Sequence, residues 1–281
     1  MTGTAHGLLP RALHDPRGRA GALAVGAVAL FALLAPFALP DPAMQFDIVG
    51  RALAAPSAVH PLGTDHLSRD VLARLATGAR ISLGVALLAV ALSVTLGAAV
   101  GIVAGYAGGA VDALLMRLVD GALAVPRLFL LLLLVAAWER MPLAALILVI
   151  GATGWLGTSR LVRAEVLRLR RQEFVTATEA LGARPGRVMF RHLLPNTLGP
   201  VTVAATLGVG DVILIEAGLS FLGMGVQPPT PSWGGMILEG RDVLTVAPWI
   251  SVLPGLAIIA TVLAVNLFGD ALRRVADPRE S

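Results

Sequence analysis

The sequence contains no cysteine and no lysine, and only 14% of its 281 residues are charged. The absence of cysteine excludes disulfides, thiolate metal sites and thiol nucleophiles. All 22 basic residues are arginines, so the chain has neither a P-loop lysine nor a Schiff-base lysine. The chain therefore cannot hydrolyse ATP by the usual phosphate-cradling route. If ATP drives its work, a separate chain must hydrolyse it.

Apolar residues dominate what is present. They make up 56% of the chain, and the mean hydropathy is +0.81, whereas a soluble domain carries roughly 25% charged residues. A helix that crosses a bilayer needs about 20 mostly apolar residues. Six runs meet that need, near residues 20–39, 81–105, 118–138, 142–162, 197–217 and 247–269. The first run follows arginines, as a signal peptide does, but it is too long and lacks a clear small-residue cleavage site. We therefore predict an all-α membrane protein with about six transmembrane helices.

The arginines are concentrated in three segments. These are the N-terminal tail (Arg11, Arg17, Arg19), residues 163–191 (Arg163, Arg168, Arg170, Arg171, Arg184, Arg187, Arg191) and the C-terminal tail (Arg273, Arg274, Arg279). By the positive-inside rule all three segments are predicted to be cytoplasmic, which is consistent with six spans. The loops near residues 40–80 and 218–246 and the turn at Glu139 then lie outside. Because the arginines fall between apolar runs, the net charge of +4 does not indicate nucleic-acid binding.

Residues 164–195 form a polar, arginine-rich island between two apolar runs. Phe174, Ala177 and Leu181 recur at the spacing of one helical stripe. Gly182 follows, and glycine can end a helix at positive φ. A second apolar run leads to Pro195, which suits the first turn of a new helix because it has no N–H. We predict a helix–turn–helix knob that faces a soluble partner, with a new spanning helix beginning near Pro195.

Small and charged residues inside the spans give two further predictions. Gly97, Gly101 and Gly105 recur at every fourth position, a stripe that lets a neighbouring helix approach closely. We favour packing within the chain over a contact with another subunit. In the third run, Pro126 predicts a bend. Asp120 and Arg127 either pair with each other, reach the headgroups or have a functional role.

Two enzyme hypotheses find little support. Gly208-Val-Gly-Asp211 has the G-x-G-D pattern of intramembrane aspartyl proteases, which need a second aspartate on a facing helix. The second aspartate of these proteases typically follows a tyrosine, but the only tyrosine here, Tyr106, is not followed by an aspartate. Asp120 is then the only other candidate for the second catalytic carboxylate. Ser220 lacks a G-x-S-x-G context and a credible histidine base, because His60 and His66 lie in another loop and His192 lies on the opposite side of the membrane. We therefore predict that the chain is not an enzyme.

The island resembles the cytoplasmic loop of the permeases of ATP-binding-cassette importers, whose pattern is E-A-A, three residues, Gly, nine residues, Ile, one residue, Leu-Pro. Gly182 matches the glycine, and Leu194 and Pro195 match the closing pair. His192 takes the position of the isoleucine. Thr176, Ala177 and Thr178 take the positions of the E-A-A triplet, so only its alanine is kept. The resemblance implies that this loop docks an ATPase, with coupling residues Phe174, Thr176, Ala177, Thr178, Leu181, Gly182, His192, Leu194 and Pro195.

Three other segments resemble, more narrowly, the second permease of dipeptide, oligopeptide and nickel importers. They run from His60 to Leu83, from Glu216 to Ile237 and from Asn266 to Pro278. The second segment contains residues of the outer loop for which two roles are open. They face a binding protein or the mouth of the pathway, or they have only a structural role. These residues are Glu216, Ser220, Trp233, Gly234 and Gly235.

The resemblance implies a type I importer permease fold. It implies a tail, first helix and outer loop over residues 1–79, a permease domain over residues 80–273 and a cytoplasmic tail over residues 274–281. It implies a bacterial inner membrane, both termini in the cytoplasm, and four partners, namely a second homologous permease, two ATPase subunits and an extracytoplasmic binding protein. No cofactor or metal is expected. The cargo is a dipeptide or oligopeptide, or alternatively nickel or another small solute. A secondary transporter is a further alternative, but no convincing internal repeat supports it.

Overall fold

The computed structural model describes residues 8–47 and 50–276, so Arg279 and Pro278 of the predicted C-terminal tail lie outside the described residues. Over those ranges the chain is nearly all helical and has no strand, which confirms the predicted all-α class. The helices are α1 (Leu8–His14), α2 (Pro16–Ala38), α3 (Val71–Ala107), α4 (Gly109–Leu123), α5 (Arg127–Val135), α6 (Leu143–Leu169), α7 (Glu173–Ala180), α8 (Pro185–Arg187), α9 (Leu194–Phe221), α10 (Trp233–Gly240) and α11 (Trp249–Ala276).

Five helical segments in the described part of the chain are long and apolar enough to cross a membrane. They are Pro16–Ala38, Val71–Ala107, Leu143–Leu169, Pro185–Phe221 and Trp249–Ala276. A sixth span exists if α4 and α5 are taken together, but these two helices are bent by 80° to each other. The number of spans predicted from the sequence is therefore confirmed only when this broken pair counts as one.

The break between α4 and α5 occurs at Pro126, where the sequence predicts only a bend. Proline has no N–H to donate and disfavours helical backbone at the residue before it. Accordingly α4 ends at Leu123, and Pro126 has extended ψ (123°) before α5 begins at Arg127. Each half is too short to cross a bilayer alone.

The glycine stripe of α3 packs against α6. A Cβ added at Gly97 would lie 2.6 Å from the Cβ of Thr158, one at Gly101 would lie 2.6 Å from the backbone oxygen of Ser159, and one at Gly105 would lie 2.8 Å from Val166. Two helices can approach this closely only where side chains are absent. The prediction that the stripe packs within the chain is confirmed.

The two ends of the described chain meet on one side of the bundle. α2 packs against α11, where a Cβ at Gly18 would lie 2.6 Å from that of Ala271. Arg274 donates a hydrogen bond to the carboxylate of Asp15, the N-cap of α2. This hydrogen bond holds the pKa of Asp15 below its ordinary value. The arginine-rich ends therefore share one face of the molecule, as an even number of spans requires.

Candidate functional site

The knob, defined here as residues 173–195, begins with the short helix α7 and turns sharply at Gly182. The backbone at Gly182 has φ +78°, a value that a residue with a Cβ rarely adopts. The N–H of Gly182 donates to the carbonyl of Glu179 (2.9 Å), and the N–H of Ala183 donates to that of Thr178 (3.3 Å). These two hydrogen bonds form a Schellman cap. The prediction that Gly182 ends the helix is confirmed.

The apolar stripe predicted on α7 points away from the protein. Leu181 is 89% exposed and Phe174 is 43% exposed, and Thr176, Ala177 and Gly182 are also exposed. The side that packs inward is instead that of Val175, which is fully buried. Exposed apolar side chains on a short polar helix are typical of a surface that another protein covers.

A small apolar cluster attaches the knob to the helix bundle. Val175 of α7 packs with Val188 and Leu193, and these pack with Val166 of α6. Next to them Arg170 donates to the backbone oxygen of Tyr106 (2.7 Å), and its guanidinium lies 5.1 Å from the centre of the Tyr106 ring. The knob is therefore fixed to the ends of α3 and α6.

The threonines in the E-A-A positions are used locally. The hydroxyl of Thr178, which is half-buried, donates to the backbone oxygen of Phe174 (2.6 Å). The hydroxyl of Thr176 donates to the backbone oxygens of Gln172 and Glu173. Neither hydroxyl hydrogen is therefore free for a partner, which leaves Phe174, Ala177 and Leu181 as the exposed apolar contacts of this segment.

The second half of the knob differs from the prediction that a new helix begins near Pro195. The helix begins at Pro185 and continues to Phe221 through a π-helical turn, Val188–Leu193. Pro195 cannot donate a hydrogen bond, and its ring would clash with the carbonyl four residues earlier in a regular helix. A π-turn widens the helix at that point, and the N–H of Leu194 donates to Met189, five residues back.

This continuity links the knob directly to a spanning helix. His192 and Leu194 are half-buried on it, and Pro195 is exposed. Asn196 donates to the backbone oxygen of His192 (2.6 Å). Phe190, which sequence reasoning missed, is 69% exposed. It lies in an apolar run that looked like ordinary core, so its exposure left no signal in the sequence.

The predicted outer-loop residues do come together, but as a buried junction of α3, α9 and α10. The carboxylate of Glu216, which is fully buried, accepts hydrogen bonds from Ser82 (2.9 Å) and Ser220 (2.7 Å). The indole N–H of Trp233, 1% exposed, donates to the backbone oxygen of Leu75 (3.1 Å). A cluster of this kind fixes helices to one another.

Two glycines complete this outer junction. A Cβ at Gly234 would lie 2.5 Å from the backbone oxygen of Ala217, so α10 touches α9 there. The N–H of Gly235, which is half-buried, donates to Ser232, the N-cap of α10. What the structure describes is thus packing within the subunit, and contact of these residues with a binding protein or a pathway stays a prediction.

Sequence reasoning also missed a buried ion-pair network beside the junction. Arg69 donates to Asp65 (2.6 Å) and Glu239 (2.7 Å), and Arg74 donates to Glu239 (2.8 Å). The signal was present as alternating charges at residues 65, 69, 70 and 74. Asp65, His66 and Glu239 lie close enough to hold a metal ion. However, two arginines already compensate the two carboxylates, so this donor set does not favour a cation.

The charged residues of the third span do not pair as one alternative predicted. Asp120 pairs with Arg160 of α6, whereas Arg127 donates to the backbone oxygen of Ile150 (2.8 Å). The break at Pro126 is the reason, because it turns α5 away from α4 and so separates Asp120 from Arg127. Asp211 borders a cavity with Arg127 but not with Asp120. The paired carboxylates of an aspartyl protease are therefore not assembled here.

Comparison of the sequence with known proteins groups this chain with transport proteins. Residues 97–281 match the family described as binding-protein-dependent transport system inner membrane component. A relative from Brucella suis biovar 1 is 44% identical over 253 residues, which are 89% of this chain and 83% of its own. A dipeptide transport system permease protein of Alkalihalophilus pseudofirmus is 39% identical over 92% of this chain and 84% of its own. An oligopeptide transport system permease protein of Bacillus subtilis is 40% identical over 80% of this chain and 73% of its own.

Proposed function

The chain belongs to the family of binding-protein-dependent transport system inner membrane components, and on that premise we propose that it is a permease subunit of an importer for short peptides. It works with a second, homologous permease, and the two form the pathway between them. Two ATPase subunits on the cytoplasmic side and a binding protein on the outer side complete the assembly. The cargo proposal is supported by relatives named as dipeptide and oligopeptide permeases.

The observation that carries the proposal is the outward-facing knob. Phe174, Leu181 and Phe190 offer exposed apolar side chains next to a rigid glycine turn. An ATPase cleft of apolar character would bury them. Because α8 continues into the helix that ends at Phe221, a push on the knob acts on a whole spanning helix. Movement of such a helix as a rigid body is how alternating access is commonly achieved.

We assign residues 80–273 to the permease domain, with the first span and outer loop before it. The Glu216 junction stiffens the outer end of this domain, and the ion-pair network joins the segment before residue 80 to Glu239 of the same end, where the binding protein would dock. Nickel or another small solute remains the alternative cargo. The family consists of transport components and not of enzymes, so ATP hydrolysis belongs to the partner subunits.

The proposed orientation places the knob and both termini in the cytoplasm, because the arginine clusters lie there. Since the chain has no cysteine, one introduced at Arg187 is its only thiol. We expect Arg187→Cys to resist a membrane-impermeant maleimide in intact cells and to react after the cells are opened. A cysteine at Leu244, exposed near the opposite end of the bundle, is the control and should react in intact cells. Strong labelling at residue 187 in intact cells would overturn the orientation.

Uptake in liposomes tests the function itself. Purified alone, the chain is expected to hydrolyse neither ATP nor peptides, since it has no lysine and no paired catalytic carboxylates. Reconstituted with its second permease, its ATPases and the binding protein, it should accumulate labelled dipeptides or tripeptides only when ATP is present. Accumulation driven by an ion gradient without ATP would favour the secondary transporter. Uptake of nickel but no peptide would favour the alternative cargo.

A further inference from the structure

A cavity of about 250 Å³ lies among α3, α5, α6 and α9, close to the middle of the long helices α3 and α6. Its volume is far above the ~15 Å³ of probe-occupied space that one water needs. Small or apolar side chains form most of its wall, but one cation and one anion face it. The lining includes Val90, Ser93, Arg127, Gly154, Ala204 and Asp211.

The cation, Arg127, is held in place but has donors to spare. Its Nη2 atom donates to the backbone oxygen of Ile150 (2.8 Å), while its Nε has no partner among the described residues. The side chain crosses α6 at Gly154, where a Cβ would lie 2.8 Å from Nη2. A second cavity of about 280 Å³ borders Arg127 on another side. A guanidinium has five N–H donors, and because the one hydrogen bond to Ile150 uses a single donor, others remain for a ligand.

The anion, Asp211, is exposed on α9. Within the part of the chain that the structure describes, its carboxylate has no hydrogen-bond donor and no ion-pair partner within 4 Å. Arg127 lines the same cavity. An unpaired carboxylate facing lipid is costly, so a span that keeps one turns it towards water or a polar ligand. Ala204 and Asp211 are seven residues apart and therefore share this face of α9.

We propose that this cavity binds a transported peptide by its two ends. Arg127 holds the terminal carboxylate through charge-assisted hydrogen bonds, and Asp211 holds the terminal ammonium. The small residues Gly154, Gly157 and Ala204 leave room without selecting a side chain. Such a site recognises the two terminal charges that free peptides share, and the fixed separation of Arg127 and Asp211 restricts the length of the peptide. This proposal rests on the proposed function. It adds that the two charged ends of the peptide are the groups that the permease recognises.

A single cysteine in the cavity tests the proposal. The Ala204→Cys chain is purified in complex with its second permease and its ATPases, without binding protein, and treated with a water-soluble maleimide whose reaction is read on this chain alone. Trialanine should slow the labelling. N-acetyl-trialanine and trialanine amide should each need about tenfold higher concentrations for the same protection, because each lacks one charge-assisted contact. Leu263→Cys, exposed on α11, is the control, and trialanine should not affect it.

Charge-removing variants assign each end of the peptide. In the Ala204→Cys background, Asp211→Asn should abolish the preference for trialanine over its N-acetyl form and keep the preference over the amide. Arg127→Gln should do the reverse. Should either variant fail to assemble, Asp211→Glu and Arg127→Lys replace them, and each should keep both preferences. Three results would contradict the proposed site. They are a cysteine at residue 204 that does not react with the maleimide at all, labelling that trialanine does not slow, and equal protection by all three peptides.

Uptake by the wild-type complex distinguishes a failure of this binding site from a failure of the proposed function. If wild-type liposomes with binding protein take up trialanine but Ala204→Cys shows no protection, the cavity is not the site and the peptide permease stands. If wild-type liposomes take up no peptide, the cargo itself is wrong, and the binding site is wrong with it.

Discussion

Replacing Gly182 by valine is expected to abolish peptide uptake while the chain still inserts into the membrane. The backbone at Gly182 has φ +78°, and a β-branched residue there costs on the order of 1–3 kcal/mol in strain. The turn relaxes by changing its path, so α7 no longer presents Phe174 and Leu181 at the angle that the ATPase fits. Insertion is spared because the site is exposed and outside the apolar spans. Uptake and co-purification of the ATPases, measured on the same membranes, check this result.

Two matched variants separate strain from bulk. Gly186 lies four residues further on, is exposed, has no positive φ and has open space around it. Gly186→Val therefore adds the same side chain without the strain and should keep most of the uptake. Gly182→Asn should also keep most of it, because asparagine tolerates positive φ better than valine. Normal uptake and normal ATPase binding by Gly182→Val would show that this turn does not set the docking geometry.

Replacing Gly101 by valine is expected to prevent α3 and α6 from packing and to leave little folded chain. The nearest atoms to a Cβ at Gly101 include the backbone oxygen of Ser159 (2.6 Å) and the backbone nitrogen of Arg163 (3.0 Å). Backbone atoms cannot rotate away as a side chain can, so the two helices must move apart. Overpacking of this kind costs about 1–3 kcal/mol or more, and the lost contacts of the neighbouring glycines add to it.

The control for Gly101 lies on the same helix. A Cβ at Gly84 meets nothing within 4 Å, so Gly84→Val should leave the chain as stable as the wild type. Thermal unfolding of each purified chain in detergent, together with the folded yield, measures the difference. Equal stability of the two variants would contradict the close approach of α3 to α6.

The sequence was sufficient for features that depend on local chemistry. Apolar runs of spanning length located the long helices, and the four-residue glycine spacing indicated the close α3–α6 contact. Gly182 was recognisable as a cap because glycine adopts positive φ without strain and so commonly ends a helix where the chain turns back. The positions of Phe174 and Leu181 followed from helical periodicity, although not which side of α7 would be buried.

Features that depend on contacts between distant parts of the chain were missed. One miss is local: the π-turn widens the helix so that Pro195 fits, and a proline that suggested a helix start therefore lies inside a longer helix. One alternative for Asp120 was a pair with Arg127, which is close in sequence, but the break at Pro126 separates the two and Asp120 pairs with Arg160. The pairing of Arg69 with Glu239 joins residues 170 positions apart, and no local pattern shows such a partner.

Cross-linking from α7 shows whether an ATPase subunit docks on the knob. Leu181, the most exposed apolar side chain of α7, is replaced by cysteine and coupled to a short photoreactive maleimide in the purified complex. We expect one adduct, between this chain and an ATPase subunit, and none from a matched Leu222→Cys, exposed at the far end of α9. Adducts with the ATPase from residue 222 but not from residue 181 would contradict the claim that this knob is the docking surface.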